Sequence, residues 1–582
     1  KGDRIGLISE GCNAWIIGEL GILYAGGINV PLSVKLDAGT ELAFRLQHSG
    51  ARMLIVSRIQ APKAEQIRSL LPDLEYVVYI HGKENKQPGD LDFEDIQKMG
   101  DELLKEDPEK IDAIWKNIVP EDIANISYTS GTTADPKGIM LSHLNYASNT
   151  IQANTLMTIN QHWRTLAVLP WDHSFAHTAC LYCFMYNGAS VASVDQGKSP
   201  MEALRNVPKN IKEIKPHLMM SVPALAKNFR KNIEAGIRAK GATTEKLFNF
   251  ALKTAYKYNG NGWDRGKGAR LFLKPLVALF DKILFSKVRE NFGGEMRFFI
   301  GGGALLDTEL QRFFYAIGIP MCQGYGLSES SPVISSNSLE NIKFGSSGKL
   351  VKHMELRILD DDGKEQPLGV KGEICIKGNN VMAGYWKNPV ATADTVKEGW
   401  LYTGDLGYMD GDGFLYVLGR FKSLLISNDG EKFSPEGIEE SLVDQSYFID
   451  QSMLYNNQSH YTVGFIVPNM TAINRELEKK GFKLGSDEAD EAALKIIQQE
   501  IDEYKKGGKY ENEYPERWLP AAVGVLPESF NDNNGLLNSS LKMVRGKITS
   551  YFARELDYLY TAEAKNIINP VNLEAMKKWR TR

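Results

Sequence analysis

Short, largely apolar runs recur through the first four hundred residues, and they limit the architecture more than any other feature of the chain. Residues 51–57, 76–80, 165–170, 217–223 and 296–302 are each brief and show no polar alternation. Runs of this kind read as strands covered on both faces. Helical stretches separate them, so the expected class is α/β, with a large N-terminal domain of layered sheets and helices. The texture changes at Glu355. Glu355–Leu359 and Gly372–Lys377 are strand-like pieces separated by turns such as Asp360-Asp361-Asp362-Gly363, which fits a β-rich subdomain. That acidic turn lacks the remaining ligand spacing of a calcium loop and reads as a solvated hairpin turn. A chain of 582 residues exceeds what one hydrophobic core normally holds. Gly419-Arg420-Phe421-Lys422 is the expected boundary, giving domains 1–420 and 421–582, the second a smaller, mobile α+β unit. Within it, Ser434 and Pro435 predict the N-cap and first position of a helix over 434–443, and 461–467 predicts a strand. The highly charged residues 475–513 predict solvent-facing helices.

The net charge of −4 gives no global bias toward nucleic acid. The five cysteines are scattered, and Cys180 and Cys183 have no second pair to complete a zinc site. Low cysteine density fits a reducing compartment, and the expected location is cytoplasmic. No apolar run reaches the ~18 residues of a membrane span. Residues 15–32 come closest, but Glu19 and several glycines interrupt them. The chain opens Lys1-Gly2-Asp3-Arg4 rather than with Met, so some N-terminal sequence is expected to be missing. Lys253 to Arg289 is rich in basic residues, and 269–285 is both apolar and cationic. Two readings stand for it: a membrane-surface patch giving peripheral membrane contact, or a core-packing helix pair, interrupted near Pro275, with a basic outer face. The second is favoured.

Tyr128-Thr129-Ser130-Gly131-Thr132-Thr133-Ala134-Asp135-Pro136-Lys137-Gly138 follows an apolar strand-like run at 123–127. Hydroxyls and bare backbone N–H groups wrap phosphate oxygens, and a lysine adds positive charge. A nucleoside triphosphate is therefore the first ligand to expect. The spacing is not that of the common NTPase phosphate loop.

Further motifs follow in order: Gly324-Tyr325-Gly326-Leu327-Ser328-Glu329, Tyr402-Thr403-Gly404-Asp405, Gly419-Arg420-Phe421-Lys422 and Leu541-Lys542. With the hydroxyl-rich segment, this ordered set resembles the adenylate-forming superfamily of acyl-CoA synthetases, adenylation domains and luciferases. The resemblance runs from about Lys1 past Lys547, most of the chain. Gly2-Asp3-Arg4 to Pro31, and residues 281–289 and 298–306, are similar to long-chain fatty acid–CoA ligases.

The resemblance implies two steps: a carboxylate and ATP form acyl-adenylate and pyrophosphate, then coenzyme A takes the acyl group and AMP leaves. It implies that Thr129, Ser130, Gly131, Thr132, Thr133 and Lys137 hold the β- and γ-phosphates. Glu329, with Thr129 nearby, is implied as the Mg2+ ligand. Tyr325 resembles the aromatic that stacks on adenine. Gly302, Gly303 and Ala304 resemble the segment lining the base pocket, completed by Gln323 and Gly324, with Gly326 and Ser328 in the same nucleotide-binding turn. Asp405 resembles the acceptor for the ribose hydroxyls, and Arg420 the ribose and phosphate contact. Lys422 matches the hinge. Lys542 resembles the lysine bridging the attacking carboxylate and the α-phosphate, with Lys547 its nearest competitor. His173 and Phe175 resemble the substrate-side segment, where His173 has a positioning role; His177 is ambiguous. The chain departs from the common pattern at Ala134, where many relatives carry Gly, at Ser328 for Thr, and at Asn538-Ser539-Ser540 for Thr-Pro-Thr. The expected partners are a fatty acid, ATP and coenzyme A, with no nucleic acid. An adenylating ligase for another acid or acceptor, and a nucleotide-binding sensor that lost catalysis, remain the alternatives.

Overall fold

The structure is a computed structural model that describes residues 1–129, 136–197, 200–531, 533–537 and 543–580. It divides into a larger unit drawn from the chain up to Val417 and a smaller unit from Leu418 onward, which also takes in Gly404–Leu406.

The larger unit is α/β. Among its described residues, eight strands form one sheet in the order Gly384–Tyr385, Lys137–Ser142, Ile123–Thr129, Ile28–Leu32, Arg4–Ile8, Ala51–Val56, Tyr76–Tyr79 and Asp90–Asp92. From Ile123–Thr129 onward, neighbours run parallel, and the first two strands add antiparallel edges. Side chains of a strand alternate between faces. Here Leu7, Ile55 and Val78 enter one core while Ile8, Leu54, Val56 and Val77 enter another. This double burial is why the runs carry no polar alternation.

A second sheet runs Leu218–Ser221, Phe298–Gly301, Met321–Gly326, Val333–Ser336 and Lys349–Leu350. Leu218, Met220, Phe298 and Cys322 pack into the same core as Leu7 and Val78. Met219, Phe299 and Met321 face a third core with Phe285 and Phe292. One helical layer is therefore shared by the two sheets. It contains the helix Asn13–Tyr24 and the π-helical turn Ala176–Tyr182, which continues as Cys183–Tyr186. Glu19, the charge that interrupts the apolar stretch at 15–32, is buried in this layer. His177 Nε2 lies 2.6 Å from Glu19 Oε1, and Tyr182 and Asn29 each donate to that oxygen at 3.0 Å. Those partners compensate a carboxylate that would be costly to bury alone.

A third, antiparallel sheet joins Glu355–Leu359, Gly372–Lys377, Trp400–Met409 and Val396–Lys397, with Leu415–Arg420 beside Trp400–Met409. The acidic turn between its first strands is the expected hairpin turn. Asp360 Oδ1 accepts the N–H groups of Asp362 and Lys364 at 3.0 and 2.8 Å. The smaller unit is α+β, with two three-stranded sheets among its described residues. Ile438, Leu442, Ile466, Ile473 and Ile497 share its core.

Two local expectations change and one holds. The predicted strand at 165–170 stops at Ala167, short of Pro170, which cannot donate to a ladder. The interruption expected near Pro275 is present: the 3-10 turn Gly268–Leu273 gives way to the helix Lys274–Phe280, and Pro275 sits in its first turn, where proline's missing N–H costs nothing. The helix predicted over 434–443 begins at Glu436, with Ser434 Oγ accepting the Glu436 N–H at 3.4 Å. The charged region is also less solvent-facing than expected. Asp487–Asp502 buries Ala493, Leu494 and Ile497, and its buried Asp490 pairs with Arg580. No described helix is long and apolar enough to cross a membrane.

Candidate active site

In the larger unit, the C-terminal ends of two adjacent parallel strands bring the first candidates together. Gly301 and Gln323 are register partners, so Gly302, Gly303 and Ala304 leave their strand beside Gln323 and Gly324. Gln323 Nε2 donates to the carbonyls of Ala304 and Gly324 at 3.2 and 2.9 Å, tying the two strand ends into one wall. A β-carbon on Gly302 would lie 3.2 Å from the ring of Phe175, so the segment containing Phe175 packs directly on this wall. Tyr325 follows half-buried. At Gly326 the antiparallel neighbour comes so close that a β-carbon would sit 1.9 Å from the Pro332 carbonyl oxygen.

The strand then turns through a short 3-10 segment, Ser328–Ser330, which presents Glu329. Ser328 Oγ and Ser174 Oγ are 2.8 Å apart, linking this turn to the segment containing His173. His173 is exposed, and its Nδ1 accepts the Phe175 N–H at 3.3 Å, so the neutral ring carries its proton on Nε2. His177 points the other way, into the shared helical layer.

Tyr385 is the residue that sequence reasoning missed. Its hydroxyl donates to Glu329 Oε1 at 3.0 Å, while Lys137 Nζ lies 4.9 Å from the centre of its ring. One tyrosine thus connects the acidic turn with the end of the hydroxyl-rich segment. Nothing near Tyr385 in sequence marks it; the connection arises because Gly384–Tyr385 pairs with Met140 and Ile139 at the sheet edge. Thr129 and Lys137 are themselves register partners across the adjacent strand pair. Ser130, Gly131, Thr132 and Thr133 lie outside the described residues, as does the Thr129 side chain.

Among the described residues no cluster of three or more His, Cys, Asp or Glu forms a metal cage. Magnesium needs no such cage, since it keeps waters and takes one or two carboxylates plus phosphate oxygens. Glu329 suits that pattern, because no hydrogen bond among the described residues reaches its second oxygen, Oε2.

In the smaller unit, Asp405 is buried and its Oδ1 lies 3.3 Å from Arg420 Nε, with Arg420 exposed. Lys422 falls in the 3-10 turn Phe421–Ser423, and its side chain is not described. Lys542 lies outside the described residues. Beyond it stands an anchor: Arg545 pairs with the buried Glu439, which also accepts the Leu454 N–H at 2.5 Å. Lys547 is exposed two residues further along the same helix.

Against known proteins, the AMP-binding enzyme family matches residues 1–386. The chain is 27% identical over 567 residues to the long-chain-fatty-acid–CoA ligase FadD15 of Mycobacterium bovis, covering 97% of this chain and 88% of that protein. It is 28% identical over 587 residues to long chain acyl-CoA synthetase 8 of Arabidopsis thaliana, covering 96% and 78%. Among solved structures, the anthranilate CoA ligase AuaEII in complex with anthranoyl-AMP superposes with a TM-score of 0.68 at 22% identity, covering 96% of this chain and 88% of that one. The adenylation domain of a carboxylate reductase from Mycobacterium chelonae does so with a TM-score of 0.68 at 19% identity, covering 96% and 81%. At these identities the two likenesses show a common fold.

Proposed function

The chain belongs to the AMP-binding enzyme family, and from that membership we propose that it is an ATP-dependent long-chain fatty acid–CoA ligase. In the first step a carboxylate oxygen bonds to the α-phosphorus of ATP, and the bond to the departing pyrophosphate breaks. In the second the thiol sulfur of coenzyme A bonds to the acyl carbon, the acyl–oxygen bond breaks, AMP leaves and the thiol proton passes to solvent. The first step joins two anions, so neutralising charge is the main catalytic task.

The residues divide that task. Thr129 through Lys137 cradle the β- and γ-phosphates, with Lys137 supplying charge. Lys542 bridges the attacking carboxylate and the α-phosphate. Tyr325 stacks on adenine against the wall of Gly302, Gly303, Ala304, Gln323 and Gly324. Asp405 accepts the ribose hydroxyls in charge-assisted hydrogen bonds of about 1.5–3 kcal/mol each, and Arg420 lies beside it. Glu329 and Thr129 would hold Mg2+, which when bound supplies positive charge against the triphosphate. His173, with its proton on Nε2, donates toward the acid's carboxylate. Lys422 is the hinge about which the smaller unit turns between the two half-reactions.

The observation that carries the reaction class is the link from Lys137 through Tyr385 to Glu329, which joins the phosphate segment to the acidic turn. The long-chain substrate rests on the curated relatives, at 26–28% identity over nearly the whole chain. Turnover of acetate, octanoate and palmitate with ATP and coenzyme A tests both. Palmitate is expected to release AMP and form its thioester fastest. Best turnover with acetate refutes the long-chain substrate. No AMP from any acid refutes the ligase and favours a nucleotide-binding sensor.

A further inference from the structure

The apolar, basic segment splits its side chains between two sides. Inward, Phe280, Phe285 and Val288 are buried with Phe248 in the core of the second sheet. Outward, Phe272 is 87% exposed, Leu271 57%, Phe250 56% and Leu279 51%, with Leu247 and Ile283 also exposed. The 3-10 turn Gly268–Leu273, which carries Leu271 and Phe272, packs against both Ala242–Asn259 and Lys274–Phe280. Phe250, on the helix Ala242–Asn259, meets the Phe280 ring edge-on at 5.8 Å, and Leu279 is the next residue along. Leu279, Ile283 and Lys287 follow one another at four-residue steps along the continuous helical run, so they share a side.

The charge around these apolar side chains is predominantly positive. Lys246, Lys253 and Lys257 flank Phe250 at helical spacing, and Lys274 and Lys282 flank Leu279; all five are exposed. None of them makes an ion pair among the described residues. Between residues 246 and 289 the only acidic residues, Asp264 and Asp281, are half-buried and paired with Arg270 and Arg289. At its Lys287 end the surface leads to a depression of about 560 Å³ lined by Lys212, Lys215, Lys240 and Lys287 along with Glu290.

Exposed aromatic and aliphatic side chains within a ring of unpaired lysines match the boundary layer of an anionic bilayer, where apolar groups enter the acyl region and cations meet the headgroups. A protein partner of matching shape would need no such excess of positive charge. We propose that this face is a membrane-docking surface for bilayers containing anionic lipid. The inference stands apart from the ligase reading, since it concerns residues with no part in the proposed chemistry.

Co-sedimentation with vesicles of phosphatidylcholine, with and without phosphatidylglycerol, is the test. The protein is expected to bind the anionic vesicles, to release them at high salt and to ignore neutral ones. Lys253→Ala and Lys282→Ala are expected to weaken binding about fivefold each. Phe272→Asp is expected to weaken it at least about tenfold, with turnover of water-soluble octanoate and thermal stability unchanged because the residue is solvated. Binding that none of these substitutions alters overturns the proposal, as does equal binding to neutral vesicles. Concentration-dependent dimerisation that Phe272→Asp abolishes, without vesicle binding, overturns it in favour of a second copy of the chain.

Discussion

Arg545 holds a carboxylate that its surroundings would otherwise neutralise. Burial raises the pKa of Glu439, while Arg545 and the Leu454 amide pull it down, and the outcome stays above the ordinary 4.5. Removing one partner of a buried pair strands the other, which typically costs about 3–5 kcal/mol. Arg545→Ala should lower the denaturant stability of the smaller unit by about that much. The sign with pH follows from linkage. A carboxyl whose folded pKa exceeds its unfolded one binds more protons when folded, so its contribution to stability declines as pH rises above 4.5. Without Arg545 the folded pKa climbs further. The deficit of the variant should therefore be smallest in acid and largest near neutrality, and a deficit that does not vary with pH would count against the pairing. Tyr385→Phe keeps the ring beneath Lys137 but deletes the hydroxyl on Glu329. A lost hydrogen bond of about 0.5–1.5 kcal/mol predicts a two- to tenfold drop in kcat/KM, whereas unchanged kinetics over a Mg2+ titration would remove the link from the site. Lys542→Ala should abolish adenylate formation yet spare thioester formation from supplied acyl-adenylate; equal loss in both half-reactions would sink that role.

At the level of elements, the wall of the site depends on the Met321–Gly326 strand lying against Val333–Ser336. Gly326→Ala would force them apart at the Pro332 carbonyl, so both melting temperature and nucleotide affinity should fall, as calorimetry and a binding titration would report. Lys422→Pro fixes φ at the proposed hinge; thioester formation should suffer more than adenylation, and no change would remove the hinge. These elements differ in how far the sequence disclosed them. Ala51–Val56 and Tyr76–Tyr79 were readable because burial on two faces leaves continuous apolar runs at Met53–Val56 and Val77–Tyr79. The ends of elements were less so, because Pro170 closes a strand while Pro275 opens a helix, and proline alone does not say which. The pairing of Gly384–Tyr385 with the Lys137 strand was invisible, since it depends on a sheet edge formed by residues far away in the chain. Tyr385 was lost with it, although Glu329 and Lys137 stood out in their own motifs.

Across the whole molecule, the α/β class was legible from strand texture, whereas the stacking of two sheets on one shared helical layer was not. Periodicity shows that a strand is buried on both sides without revealing what lies on each. Leu7 and Phe298 are nearly three hundred positions apart, yet both press on the helices of Trp15 and Phe184. A gene cut between the strands of the first sheet up to Ser142 and those of the second would give two fragments, each with an oily flank and half a lining, the later one keeping Gly384–Tyr385 for the first sheet's edge. Expressed alone, each should precipitate; expressed together, they should find one another and reassemble, so this enzyme is a natural candidate for a split reporter.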